Sequence, residues 1–144
     1  MVAMPEVSRL RLVIGEDSVL LLAGLTKLLE SAGFEVVATA GDGPELIAAV
    51  GREQPDLVIL DPPRAGLGAE TAARLANIGA PEIVYLSCDP STLARDLAVL
   101  THSERKPSTG IASAQRYEIS EMCLFDLFPQ TFHIETLVRL RRVS

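Results

Sequence analysis

The 144-residue sequence predicts an α/β fold: a three-layer α/β/α sandwich on a mostly parallel, doubly wound sheet. Three observations carry that expectation. Short apolar runs alternate with stretches of helical periodicity as far as residue 100. The run Leu57-Val58-Ile59-Leu60 is apolar on both faces and is stopped by Pro55 on one side and Pro62-Pro63 on the other, the signature of a buried parallel strand. After residue 116 the pattern changes to two strands joined by a turn too short for a helix, which requires an antiparallel hairpin. The expected strand order is 2-1-3-4-6-5, with strand 6 antiparallel between 4 and 5.

In chain order, residues 1–8 lack periodicity, and 9–14 read as strand 1, closed by Gly15-Glu16-Asp17-Ser18. Val19, Leu22, Leu25, Leu28 and Leu29 then share a helical stripe, with Asp17 or Ser18 available as N-cap and Gly33 as the stop. Residues 34–39 read as strand 2, Gly41-Asp42-Gly43-Pro44 as a turn, and 45–52 as helix 2, leading to the strand that ends in Asp61. A turn over 63–68 precedes a helix at 69–78 and a strand at 82–87. Asp89 as N-cap with Pro90 at the first helical position starts a helix at 90–100. The polar segment 101–114 reads as a loop, and strands at 117–125 and 133–140 flank the turn Phe128-Pro129-Gln130-Thr131. Right-handed crossovers join the parallel strands.

Size and a 48% hydrophobic content suit one domain over 1–144, with halves at 9–61 and 62–144. The longest apolar stretch, 19–25, is too short to span a bilayer, and no basic segment leads into it, so the expected location is cytoplasmic, with no membrane partner. Two cysteines, Cys88 and Cys123, provide neither a disulfide framework nor a four-cysteine metal set. The net charge of −6 is uneven: residues 1–61 hold four Lys/Arg against ten Asp/Glu, and 62–144 hold nine against nine. An acidic chain without a basic stripe is poorly suited to hold RNA unaided, and the sequence names no other partner or oligomeric state.

Asp61 closes a strand at the sheet edge where α/β proteins bind ligands. The segments to its left, Leu12-Val13-Ile14-Gly15-Glu16-Asp17-Ser18, Gly33-Phe34-Glu35-Val36-Val37 and Pro55-Asp56-Leu57-Val58-Ile59-Leu60-Asp61, resemble the first half of a bacterial response-regulator receiver domain, a flavodoxin-like fold. That resemblance implies Glu16 and Asp17 as Mg²⁺-side carboxylates and Asp61 as phosphoacceptor and third metal ligand. Converging carboxylates need such a hard cation. The alternative is that Asp17 and Ser18 only cap a helix. The family's lysine after strand 5 is missing, since Lys106-Pro107 follows a helix.

To the right, Asp61-Pro62-Pro63-Arg64-Ala65-Gly66-Leu67, Leu86-Ser87-Cys88-Asp89-Pro90-Ser91-Thr92-Leu93-Ala94-Arg95-Asp96-Leu97 and Asp126-Leu127-Phe128-Pro129-Gln130-Thr131-Phe132-His133-Ile134-Glu135-Thr136 resemble the RNA 5-methyluridine methyltransferases, a Rossmann-like fold. This implies Cys88 as the nucleophile on the uracil ring, Glu135 as the base that removes the ring proton, Asp61 beside the target base, and S-adenosylmethionine as methyl donor. A cysteine before a helix N-terminus favours thiolate. The alternatives are a small buried cysteine and a Glu135 paired with Arg139 or Arg141. The turn Gly15-Glu16-Asp17-Ser18 replaces a glycine-rich donor loop, and its carboxylates oppose the donor's own. The expectation is therefore a hybrid of two half-domains spliced at Asp61, an engineered chimera without complete activity, with residual Mg²⁺ binding. Uridine methylation with S-adenosylmethionine is the alternative.

Overall fold

The computed structural model describes residues 8–102, 116–127 and 129–143. Among them ten elements follow in order: β1 (Arg11–Glu16), α1 (Val19–Ser31), β2 (Glu35–Ala40), α2 (Gly43–Glu53), β3 (Leu57–Asp61), α3 (Ala69–Ile78), β4 (Glu82–Ser87), α4 (Pro90–Thr101), β5 (Arg116–Phe125) and β6 (Glu135–Val143). The strands form one six-stranded sheet in the order β2-β1-β3-β4-β6-β5. β2, β1, β3 and β4 are parallel, and β6 runs antiparallel to both β4 and β5. The α/β class and this order are those expected from the sequence.

Alternation along the strands divides the core. Val13, Val58, Leu60, Ile83, Tyr85, Val138 and Leu140 point into one cluster with Leu46 and Val50 of α2, Leu75 of α3, and Leu93, Leu97 and Leu100 of α4. Leu12, Ile14 and Ile59, the intervening residues, are also buried but lie outside that cluster, and α1 packs on β1 and β2. No residue of α1 is fully buried, and Leu20 and Leu28 are 85% and 70% exposed.

Caps set the starts of three helices. Ser18 Oγ accepts the Leu21 amide of α1, Asp42 Oδ1 accepts the Glu45 amide of α2 at 2.9 Å, and Asp89 Oδ1 accepts the Ser91 and Thr92 amides of α4 at 2.9 and 3.1 Å. α2 therefore begins two residues before the expected helix, inside the supposed turn, because Asp42 caps it and Pro44 fits its first turn. On the far side, Arg139 grips Glu82 through two nitrogens, with Arg141 beside it, and Tyr117 donates to the Ala80 carbonyl at 2.7 Å. Burial pushes the Tyr117 hydroxyl up to about 12. These contacts hold β6 on β4 at one register. Most of the expected 101–114 loop, with Lys106 and Phe128, falls outside the described residues.

Candidate functional site

The carboxyl ends of β1, β2 and β3 surround a crevice of about 330 Å³, within the size of small-molecule sites. Gly15, Glu16, Asp42, Gly43, Asp61 and Pro62 are among its walls. Parallel pairing sets Glu16 directly beside Asp61. Glu16 is only 4% exposed; Oε1 accepts the Ser18 amide at 3.0 Å, and Oε2 has no donor. Burial first, and then Asp61, push its carboxyl up to about 8. A proton on Oε2 turns the orphaned acceptor into a donor.

This geometry corrects the Mg²⁺ expectation for Glu16, Asp17 and Asp61. Among the described residues no group of three or more His, Cys, Asp or Glu side chains could hold a metal ion. Glu16 is sequestered and engaged by the Ser18 amide, with the Asp61 and Asp17 side chains against it, and Asp17 is exposed. Ser18 is the N-cap of α1.

One strand over, a second constellation forms at the tip of β4. Cys88 follows β4 and precedes Asp89, the α4 cap. The β4–β6 ladder ends with Ser87 opposite Thr136, and Cys88 and Glu135 are the residues next to that last pair. Arg139 and Arg141, the alternative partners of Glu135, are taken by Glu82. Arg64 Nη2 lies 3.5 Å from His133 Nδ1, two residues before Glu135. The hydroxyl and amide of Ser91 and the Thr92 amide hold Asp89 below the usual carboxylate range, and Arg64 adds to that from across the loop. Cys88 and Glu135 do not line the crevice; Asp61, Pro62 and Pro63 lie along its rim toward β4.

Sequence reasoning left Asp96 and Tyr85 without a role. Asp96 is fully buried, and its Oδ2 accepts the Leu67 amide at 2.7 Å and the Tyr85 hydroxyl at 2.6 Å while Oδ1 meets Arg95. Burial, and then the Asp96 carboxylate, raise the Tyr85 hydroxyl well beyond its usual range. A charged residue on the inner face of an amphipathic helix is the signal that marks Asp96 in the sequence.

Comparison with known proteins decides between the two resemblances. The tRNA (uracil-5-)-methyltransferase family matches residues 50–143, which include β3 to β6 but not β1 or β2. The chain belongs to this family. An uncharacterized RNA methyltransferase of Clostridium acetobutylicum is 41% identical over 103 residues, covering 72% of this chain and 20% of that protein. The chain spans about a fifth of the length of the curated relatives it matches. The Pyrococcus abyssi tRNA (uracil-54, C5)-methyltransferase, solved with S-adenosyl-L-homocysteine, shares the fold (TM-score 0.60, 24% identity, 92% of this chain and 34% of that one). A signal receiver domain of a modulated diguanylate cyclase from Desulfovibrio desulfuricans also superposes (TM-score 0.51, 29% identity, 64% of this chain and 76% of that one). The two-part resemblance therefore stands, but the methyltransferase family match begins at residue 50, upstream of Asp61. The expectation of an engineered scaffold without activity gives way to an RNA-methyltransferase-family chain. No helix among the described residues is long and apolar enough to cross a membrane.

Proposed function

We propose that this chain carries the catalytic face of an S-adenosylmethionine-dependent RNA uracil-C5 methyltransferase, with Cys88 as nucleophile and Glu135 as base. The observation that carries this reading is the β4–β6 ladder, whose last pair, Ser87 with Thr136, is flanked by a cysteine from one motif and a carboxylate from another, 47 residues later in the chain. Neither local sequence nor helix capping requires that pairing.

The crevice fits the donor. S-adenosylmethionine is a cation overall, and the acids of the walls, Asp17, Asp42 and Asp61, suit one. The proton held by Glu16 relieves the expected clash with the donor's carboxylate. Asp42 would take the ribose hydroxyls, Gly41 and Gly43 admit close approach, and Leu46 and Leu67 supply apolar walls. When bound, the donor supplies an electrophilic methyl group. Asp61 and Pro62, between crevice and β4 tip, form the partition across which donor and target base meet.

At that tip the Cys88 sulfur adds to C6 of the uracil, which makes C5 nucleophilic. After methyl transfer Glu135 takes the proton from C5, and the electron pair left behind expels the sulfur and restores the ring double bond. Arg64, with His133 beside it, gives the acidic chain a local cation for the RNA backbone.

Methyl transfer from labelled S-adenosylmethionine to uridine in tRNA and ribosomal RNA tests this. Cys88→Ala should abolish transfer, and Glu135→Gln should accumulate a covalent protein–RNA adduct, because the sulfur adds but the C5 proton stays. A chain that neither binds the donor by calorimetry nor transfers methyl overturns the reading, as does undiminished transfer by Cys88→Ala.

A further inference from the structure

We infer that Asp96 is a positioning residue: from the inner face of α4 it fixes the loop that carries Arg64 against the helix start that carries Cys88. The inference rests on the proposed roles of the β4 tip for its catalytic meaning, but its geometry stands by itself.

Three hydrogen bonds tie the loop between β3 and α3 to consecutive turns of α4. Thr92 Oγ1 donates to the Arg64 carbonyl at 2.8 Å, Arg95 Nη2 donates to the Ala65 carbonyl at 2.7 Å, and the Leu67 amide donates to Asp96 at 2.7 Å. Asp96 takes part in two of these, since it also orients Arg95 through two nitrogens at 2.9 and 3.1 Å. Tyr85 of β4 supplies the remaining donor, at 2.6 Å, so one carboxylate joins strand, helix and loop. The loop lies so close that a Cβ on Gly66 would sit 2.5 Å from Asp96 Oδ2 and 2.8 Å from Arg95 Nη2, at a φ of +75°.

A buried carboxylate contributes little net stability, because desolvation offsets what its partners return. Apolar residues of similar volume would fill the space between β4 and α4 as well. What they would not do is hold the Leu67 amide and the Arg95 fork at fixed points. Arg64 leaves the clamped loop toward His133 and toward Asp89, the residue after Cys88. Releasing Asp96 lets that charge drift from the start of α4.

The test is the rate of Cys88 alkylation by iodoacetamide against pH, by peptide mass spectrometry on the full chain in a Cys123→Ser background, together with amide hydrogen exchange at Leu67. Asp96→Asn should speed Leu67 exchange about tenfold or more and change the alkylation profile in the same direction as Arg64→Ala, by roughly three- to tenfold in rate at neutral pH. Combined with Arg64→Ala, it should add no further change in alkylation. Thr92→Val, which removes only a partly exposed hydroxyl contact, should reproduce a smaller part of the effect and serves if Asp96→Asn does not fold. Wild-type profiles and exchange in Asp96→Asn, or in a folded Thr92→Val where Asp96→Asn fails, overturn the inference. Neither readout uses methyl transfer, so a chain without that activity whose variants still move together loses the proposed function and keeps the positioning role. An active chain whose variants do not move keeps the function and loses Asp96.

Discussion

α1 and α4 are nearly equal in length, at 13 and 12 residues, yet they are held in opposite ways. α1 buries none of its residues fully, and its side-chain bonds are local: Leu21 to Ser18, Thr26 to the Leu22 carbonyl, Ser31 to the Lys27 carbonyl. α4 buries Leu93, Asp96, Leu97 and Leu100 and reaches about thirty residues back along the chain through Thr92, Arg95 and Asp96. The front of the sheet is thus a packed but unspecialised βαβ unit, a form that two families can share. The back is tied by directional bonds between motifs far apart in sequence. Where bonds rather than packing set position, the exact residue type matters, and that is the region the family match covers.

The largest expected contrast is chemical. Glu135→Gln should leave the first methyl transfer in place and reduce release of methylated RNA by about 10²- to 10⁴-fold in multiple-turnover assays, the usual range for a lost general base. A loss below tenfold would move the base elsewhere.

Glycines in the two regions give the next contrast. Gly66→Ala should cost about 3 kcal/mol in denaturant unfolding, from positive φ and the clash with Asp96. Gly24→Ala, in α1 with nothing within 4 Å of the added carbon, should instead stabilise by roughly 0.5–1 kcal/mol. Equal effects at the two sites would erase the distinction between loosely packed and pinned halves.

The pH dependence at the crevice gives a further contrast. Glu16 holds its proton to about pH 8 when folded but releases it near 4.5 when unfolded. Within that window the folded state binds more protons, so stability is greatest at the acid end and falls as pH rises, at up to about 1.4 kcal/mol per pH unit. Glu16→Gln should flatten that slope in unfolding curves taken from pH 5 to 8. A wild-type slope that survives the substitution would assign the proton to another group.

Much of this was legible from residue pattern. Leu57-Val58-Ile59-Leu60 between prolines could only be a buried strand, Asp89-Pro90 could only begin a helix, and the short turn before His133 forced an antiparallel return. The motifs around Asp61, Cys88 and Glu135 were equally visible as sequence. Three features were not. Asp42 looked like part of a turn because its capping bond to Glu45 depends on the angle at which the chain enters α2. Glu16 looked like a metal-side carboxylate because nothing local reveals that the Ser18 amide and the neighbouring strand enclose it. Asp96 looked like one acid in a helix, since its partners Tyr85 and Leu67 lie 11 and 29 residues away.

Sequence alone determined the elements and their order in the sheet, because periodicity, caps and turn chemistry act over a few residues. Only the tertiary structure decided which side chains are buried together, which strand ends meet at the crevice, and which residues hold a loop in place. Those outcomes depend on distances between strands and helices that no local pattern encodes, and on the low-polarity interior that makes a lone carboxylate keep its proton and a paired one hold its neighbours.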